Sequence, residues 1–167
     1  MPSTGLAAGT TYYFRVRSTN GAGDSTFSNE ASATTQTATT FPAVTGLTLV
    51  NADTDEDLGP LAEGATLNQA TLPTRNLNVR ADTSPATVGS VQFGYDGNAS
   101  YAVESSSPYA LAGDVSGNYN AWTPAVGSHT LNATAWTAAG ATGTAGPAMT
   151  VAFTVIDTPA GTGTGLW

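Results

Sequence analysis

The stretch Gly127-Ser-His-Thr-Leu-Asn-Ala-Thr-Ala-Trp136 decides the fold of this 167-residue chain. Apolar residues alternate with polar ones along it up to Trp136, and a period of two is the signature of a half-buried β-strand. The alternation predicts that Leu131, Ala133 and Ala135 point into a core. It leaves Asn132, Thr134 and Trp136 on the solvent side, so a flat aromatic ring lies on an otherwise polar sheet face.

Other segments show the same period. Strands are predicted at 46–51, 77–81, 90–95, 101–103 and 149–155, with a long loop over 104–126 and a tight turn at Asp96-Gly97. The short spacing, the glycine-rich turns and the absence of a helical pattern are typical of an all-β protein. We therefore predict an antiparallel immunoglobulin-like β-sandwich over residues 44–157, with an extra β-hairpin before it.

Composition excludes several classes of partner. The chain has 4 Lys+Arg against 12 Asp+Glu, a formal net charge of −8. So few cations cannot neutralise a phosphate backbone, which excludes nucleic acid and anionic membranes as expected partners. No cysteine is present, so disulfides and thiolate chemistry are excluded. The first residues lack the pattern of a signal peptide, and no apolar run is long enough to span a membrane.

The N-terminal segment carries a specific resemblance. The pattern Leu6-x-x-Gly9-Thr10-x-Tyr12-x-Phe14-x-Val16, with a turn at 20–24, resembles the last third of a fibronectin type III domain. The resemblance implies that Tyr12 is the corner tyrosine of that family. Two strands cannot form a stable core alone. The hairpin is therefore expected to dock on the main domain, to pair with another chain as a homodimer, or to fray. The predicted boundaries are 1–36 for the hairpin, 37–43 and 158–167 for linkers, and 44–157 for the sandwich.

The sandwich segment resembles the bacterial Ig-like domains found in secreted glycoside hydrolases and surface proteins. The resemblance lies in Val88-Gly-Ser-Val-Gln-Phe, Ser107-Pro-Tyr-Ala-Leu111, the opening stretch and Val151-x-Phe-Thr-Val155. It implies a secreted, extracellular and noncatalytic accessory domain. Some relatives are spacers, and others bind polysaccharide. An insert at 113–123 departs from the plainer members of the family.

Polysaccharide binding is the sharpest functional hypothesis. Sugar rings stack on flat aromatic side chains, and their hydroxyls bind amides and carboxylates. The residues predicted to bind a β-glucan such as cellulose or xyloglucan are Trp136, Trp122, Tyr119, Asn132, Gln92 and Asp114. The competing interpretation is that Trp122 plugs one end of the sandwich and that a loop or the hairpin covers Trp136.

An acidic run offers a candidate calcium site. Asp53, Asp55 and Asp57 are spaced at i, i+2 and i+4, like the start of a calcium-binding loop, but the later glycine and glutamate of an EF-hand are missing. Structural calcium held by these carboxylates, with help from Asp114, is one interpretation. A solvated loop after the first strand is the other.

Catalysis is not expected. The single histidine, His129, joins the inward set of its strand, where a packed and hydrogen-bonded residue is the usual outcome. Glu63 and Glu104 are the residues available for a glycosidase pair, but a small sandwich offers them no obvious cleft. A structural spacer and an adhesion domain remain the alternatives to glycan binding.

Overall fold

The computed structural model describes residues 5–36 and 41–159. The chain divides into two compact units, Met1–Thr40 and Phe41–Trp167. The described residues form strands and turns only, and none of them builds a helix long and apolar enough to cross a membrane. The predicted linker at 37–43 and the tail at 158–167 fall mostly outside the described residues.

The first unit is a small antiparallel structure. Its strands are β1 (Thr11–Phe14), β2 (Thr19–Asn20), β3 (Gly23–Asp24) and β4 (Ala31–Thr34); β1 pairs with β4 and β2 with β3. The hydroxyl of Tyr12 accepts a hydrogen bond from the backbone N–H of Ala7 at 2.8 Å. A tyrosine that bonds the backbone just upstream is the corner arrangement that the resemblance implied for Tyr12.

The second unit is a sandwich of two sheets. Its strands are β5 (Ala43–Asn51), β6 (Glu56–Pro60), β7 (Ala65–Asn68), β8 (Leu77–Ser84), β9 (Ser90–Tyr95), β10 (Asn98–Glu104), β11 (Tyr109–Ala110), β12 (Asp114–Val115), β13 (Asn118–Tyr119), β14 (Gly127–Ala138), β15 (Thr142–Ala145) and β16 (Met149–Ile156). The larger sheet has the order β10-β9-β14-β16-β7, with β15 added to the end of β14. The smaller sheet has the order β11-β8-β5-β6. All pairings are antiparallel except that of β16 with β7. The predicted all-β immunoglobulin-like class is confirmed.

Alternating side chains of both sheets form the core. Leu131, Ala133 and Ala135 are each fully buried, as the alternation in β14 predicted. The inward residues of the neighbouring strands join them; they include Leu77, Val79, Val91, Phe93, Val151, Phe153 and Val155. This packing fixes which residues of the larger sheet face away from the core.

The alternating sequence pattern predicts the main strands but not the short strands at the edges of the sheets. The first strand was expected at 46–51 and begins at Ala43, while β6, β7 and β15 were not expected at all. Their sequences (EDLGP, ATLN and TGTA) contain few large apolar residues, because each strand pairs only at the rim of a sheet. The predicted loop at 104–126 contains β11 and the hairpin of β12 and β13.

Candidate functional site

The outward residues of β9, β14 and β16 form one continuous surface, called the outer face below. In the register of the larger sheet, Thr134 lies opposite Gln92, and Asn132 lies between Gly94 and Thr150. The outward positions are Ser90, Gln92, Gly94, Ser128, Thr130, Asn132, Thr134, Trp136, Thr150, Ala152 and Thr154, of which Ser90 and Gly94 are buried. The register therefore brings Trp136, Asn132 and Gln92 onto one surface.

Trp136 lies at one end of the outer face and is half-buried. Its strand position pairs with Ser90 on one side and with Ala145 of β15 on the other. The indole Nε1 is buried and has no hydrogen-bond partner among the described residues. Part of the ring surface is thus open to solvent, while the polar edge of the indole is covered.

The two amides of the outer face are held differently. Gln92 donates from Nε2 to the hydroxyl of Ser100 at 2.7 Å. The amide of Asn132 lies so close over Gly94 that a Cβ built on that glycine would clash with Asn132 Oδ1. A side chain at position 94 would displace the amide, so the glycine creates the space that Asn132 occupies.

A shallow depression of about 240 Å³ lies at the other end of the outer face. Its lining consists of Gly64, Ser128, His129, Thr130, Ala152, Phe153 and Thr154. The loop before β7 is bound along β16, because Gly64 donates its N–H to the carbonyl of Ala152 and Glu63 accepts the Ala152 N–H, both at 2.8 Å. The alternation of β14 and β16 placed Thr130, Ala152 and Thr154 outward, but nothing in the sequence places Gly64 beside them.

The expectation that Trp122 stacks on sugar is wrong for the folded protein. Trp122 is only 7% exposed, and its ring contacts Tyr95 edge-on at 5.6 Å and Phe153 at 6.4 Å between centroids. Its backbone forms a two-way bridge with Leu77. A ring buried in this way cannot accept a ligand on its face, so Trp122 closes the sandwich, as the competing interpretation held.

Tyr119 is also buried, at 8% exposure, beside Val50 and Ala110. It is therefore not available as a stacking surface. Its strand, β13, pairs with β12 in a hairpin that the side chain of Asn78 holds against the smaller sheet through the carbonyls of Gly113 and Asn120.

Asp114 belongs to the same hairpin and is used within it. Its carboxylate accepts the backbone N–H of Gly117 at 2.6 Å and so closes the turn. Burial and the negative charge of Asp114 raise the pKa of Glu104 on β10. The structure places Asp114 in this turn rather than among the outward residues of β9, β14 and β16.

The three carboxylates of the acidic run do not converge on one point. Each binds a different partner. Asp53 accepts hydrogen bonds from the side chains of Thr74 and Asn76. Asp55 accepts the backbone N–H of Tyr119, and Asp57 forms a bidentate ion pair with Arg80. The hydrogen bonds from Thr74 and Asn76 lower the pKa of Asp53. Within residues 5–36 and 41–159 no group of three or more metal-ligating side chains gathers. The arrangement does not fit the predicted calcium site.

His129 is packed and hydrogen-bonded, as predicted, and is 9% exposed. Its ring stacks on Tyr95 at 5.3 Å between centroids. Nδ1 lies 2.6 Å from the Asp96 carboxylate and 2.7 Å from the Tyr95 hydroxyl, while Nε2 lies 2.8 Å from the carbonyl of Ala125. Burial, together with the charge of Asp96, raises the pKa of Tyr95. The cluster joins the start of β14 to the β9–β10 turn.

Glu63 and Glu104 cannot act as a pair. Glu104 lies in β10 at one edge of the larger sheet, whereas Glu63 precedes β7 at the opposite edge. The Glu63 carboxylate binds the Ala152 N–H of β16, which lies three strand spacings, or about 14 Å, from β10. The two carboxylates of a glycosidase stand about 5–9.5 Å apart. The geometry therefore excludes this pair from glycoside hydrolysis.

Comparisons with known proteins do not identify a family for this chain. No family model matches the chain, and no curated protein matches it. A solved structure described as "Structures of Clostridium thermocellum CbhA fibronectin(III)-like modules" is similar at 17% identity and a TM-score of 0.37. The match covers 90% of this chain and 65% of that one. The fold assignment rests on the strand order and register described above.

Proposed function

We propose that the second unit is a noncatalytic carbohydrate-binding module that binds a β-glucan, such as cellulose or xyloglucan, through the outer face. The observation that carries this proposal is the register that puts Trp136, Thr134, Gln92 and Asn132 on one surface. An aromatic ring with amides and hydroxyls beside it matches the apolar faces and the hydroxyls of a sugar chain.

Binding in this arrangement depends on stacking and hydrogen bonds. The exposed part of the Trp136 ring receives one sugar ring, and the amides of Asn132 and Gln92 bind hydroxyls of the neighbouring units. In a secreted protein, such a module holds an attached glycoside hydrolase near its substrate and raises the effective concentration of the enzyme. The chain itself performs no chemistry in this proposal.

Affinity electrophoresis through gels that contain a soluble β-glucan tests the proposal. We expect the native chain to be retarded by at least one glucan and Trp136→Ala to lose that retardation. The matched control is Tyr13→Ala, which removes a 67% exposed aromatic residue from β1 of the first unit and leaves the second unit unchanged. Free migration of the native chain on every glucan would refute the proposal, as would equal retardation of the Trp136 variant.

A structural spacer is the second candidate. The observation that favours it is the burial of Trp122 and Tyr119, which leaves Trp136 as the one tryptophan of the described residues with an open ring surface. Acrylamide quenching of tryptophan fluorescence separates the two candidates. Efficient quenching that glucan suppresses indicates binding through Trp136, whereas fluorescence that glucan leaves unchanged indicates a spacer.

Self-association through the N-terminal hairpin is a separate proposal about partners. The side chains of Tyr13, Phe14, Val16 and Phe27 are 47–71% exposed. Exposed apolar side chains on a small strand pair favour contact with another chain. Sedimentation of the full chain and of a chain lacking residues 1–36 tests this, because only the former is expected to form a dimer.

A further inference from the structure

The depression at the far end of the outer face has the chemistry of a second sugar subsite. Three of its seven lining residues, Ser128, Thr130 and Thr154, carry hydroxyl groups, and the small residues Gly64 and Ala152 leave the space open. A hydroxyl donates one hydrogen bond and accepts others, so it matches the hydroxyls of a sugar without needing a charge.

The outer face is also free of charge. None of the outward residues of β9, β14 and β16 is Asp, Glu, Lys or Arg. Two carboxylates lie beside these strands, and both are bound to strand backbone: Glu63 accepts the Ala152 N–H, and Asp96 accepts the Thr130 N–H. With a net charge of −8 on the whole chain, this surface repels a polyanion and does not oppose a neutral chain.

The two ends of the outer face lie a defined distance apart along one strand. Thr130, which lines the depression, precedes Trp136 by six residues in β14. At about 3.4 Å per residue the separation is about 20 Å. Asn132 and Thr134 occupy the outward positions between them, so polar side chains line the whole path.

From these observations we infer that the outer face carries two sugar subsites, one at Trp136 and one at the depression. Its ligand is a neutral, extended polysaccharide that lies along β14. The inference rests on the proposed function. It adds the direction in which the ligand lies, the minimum ligand length that reaches both subsites, and a preference for an uncharged ligand. A disaccharide occupies one subsite at a time, whereas a hexasaccharide occupies both and gains affinity from the second contact.

Ala152→Phe tests the second subsite, because its side chain is exposed on β16 and a phenyl ring fills the depression. Binding of cellobiose and cellohexaose is measured by NMR titration or calorimetry. We expect the hexasaccharide to bind about tenfold more weakly to this variant, with a change below about twofold for the disaccharide. Ala121→Phe is the matched control and is expected to bind like the native chain, because Ala121 is exposed and its neighbours Asn120 and Trp122 are bound to the smaller sheet.

The outcomes separate this inference from the proposed function. If Trp136→Ala abolishes binding but Ala152→Phe leaves the hexasaccharide affinity unchanged, the second subsite is wrong and the carbohydrate-binding proposal stands. If neither ligand binds the native chain, the proposed function itself is wrong. Carboxymethylcellulose and hydroxyethylcellulose test the charge preference. Equal retardation by both at low salt would overturn it, and weaker retardation by the anionic polymer that recovers with salt would support it.

Discussion

Replacing Asp96 with asparagine tests whether the His129 cluster anchors β14 to the β9–β10 turn. Asp96 has a φ of 47°, in the left-handed region that asparagine adopts readily, so Asp96→Asn changes the charge and leaves the backbone preference intact. The carboxylate accepts the Thr130 N–H at 2.9 Å through Oδ1 and lies 2.6 Å from His129 Nδ1 through Oδ2. An amide oxygen also accepts from Thr130, so the substitution acts on the second contact. There Nδ1 donates to the carboxylate when the ring carries both protons, since Nε2 already donates to the Ala125 carbonyl.

The expected loss follows from the contact with His129. A hydrogen bond to a charged group contributes about 1.5–3 kcal/mol. The Asp96 side chain is 39% exposed, so solvent screening reduces the expected loss to about 1–2 kcal/mol. For a domain of this size each kcal/mol corresponds to about 4 °C, so the melting temperature is expected to fall by about 4–8 °C.

The pH dependence of this loss has a definite sign. Burial raises the pKa of Asp96, but the hydrogen bonds from the Thr130 N–H and from His129 together lower it below its ordinary value. A carboxylate with a lowered pKa in the folded state contributes stability above its unfolded pKa of about 3.9, and this stability is lost as the pH falls through the folded pKa. The difference between the native chain and Asp96→Asn should therefore shrink as the pH falls through the lowered pKa of Asp96.

Urea unfolding, followed by tryptophan fluorescence at several pH values, measures the difference. The buried Trp122, in contact with Tyr95, reports loss of the cluster directly. Equal free energies of unfolding at neutral pH would refute the anchoring role. A loss that persists unchanged well below the carboxylate pKa would show that the effect does not arise from the charge of Asp96.

Three further substitutions probe the remaining parts of the sandwich. Glu104→Gln should raise the free energy of unfolding at neutral pH by up to about 1 kcal/mol, because burial and Asp114 raise the pKa of Glu104, and the gain should vanish below about pH 4 in urea titrations. Trp122→Ala should lose about 3–5 kcal/mol by denaturation, and intact stability would contradict its place in the core. Gly94→Ala should push the amide of Asn132 aside, weakening retardation by glucan with a stability change under about 1 kcal/mol; unchanged retardation would show that Asn132 is not used.

The inward and outward sides of the main strands were predictable from sequence because alternation depends on the chain alone. Leu131 and Phe93 point inward, and Asn132 and Gln92 point outward, for the same geometric reason. Once the order of neighbouring strands is fixed, that alternation also determines which residues share the outer face. The placement of Trp136, Asn132 and Gln92 on one surface was therefore predictable.

The insert at 113–123 could not be predicted in this way, because it has no period. The position of Tyr119 and Trp122 in a loop leaves both exposure and burial open, and tertiary packing buries both. The burial depends on partners distant in sequence, such as Val50 for Tyr119 and Phe153 for Trp122. The carboxylates of the acidic run point to separate partners for the same reason. Arg80, which binds Asp57, and Thr74, which binds Asp53, come from other parts of the chain.

The burial of the insert changes what the outer face must do to bind a chain. Trp136 offers only part of its ring, and its indole Nε1 has no acceptor among the described residues, so stacking there provides less contact area than a fully exposed platform would. A weak aromatic contact needs additional contacts along the ligand to give useful affinity. The hydroxyl-lined depression about 20 Å away is where the outer face offers them, because the strand rise fixes that distance and the small residues Ala152 and Gly64 keep the space open. If the proposed function holds, the length of the bound chain, rather than a single ring, determines the affinity.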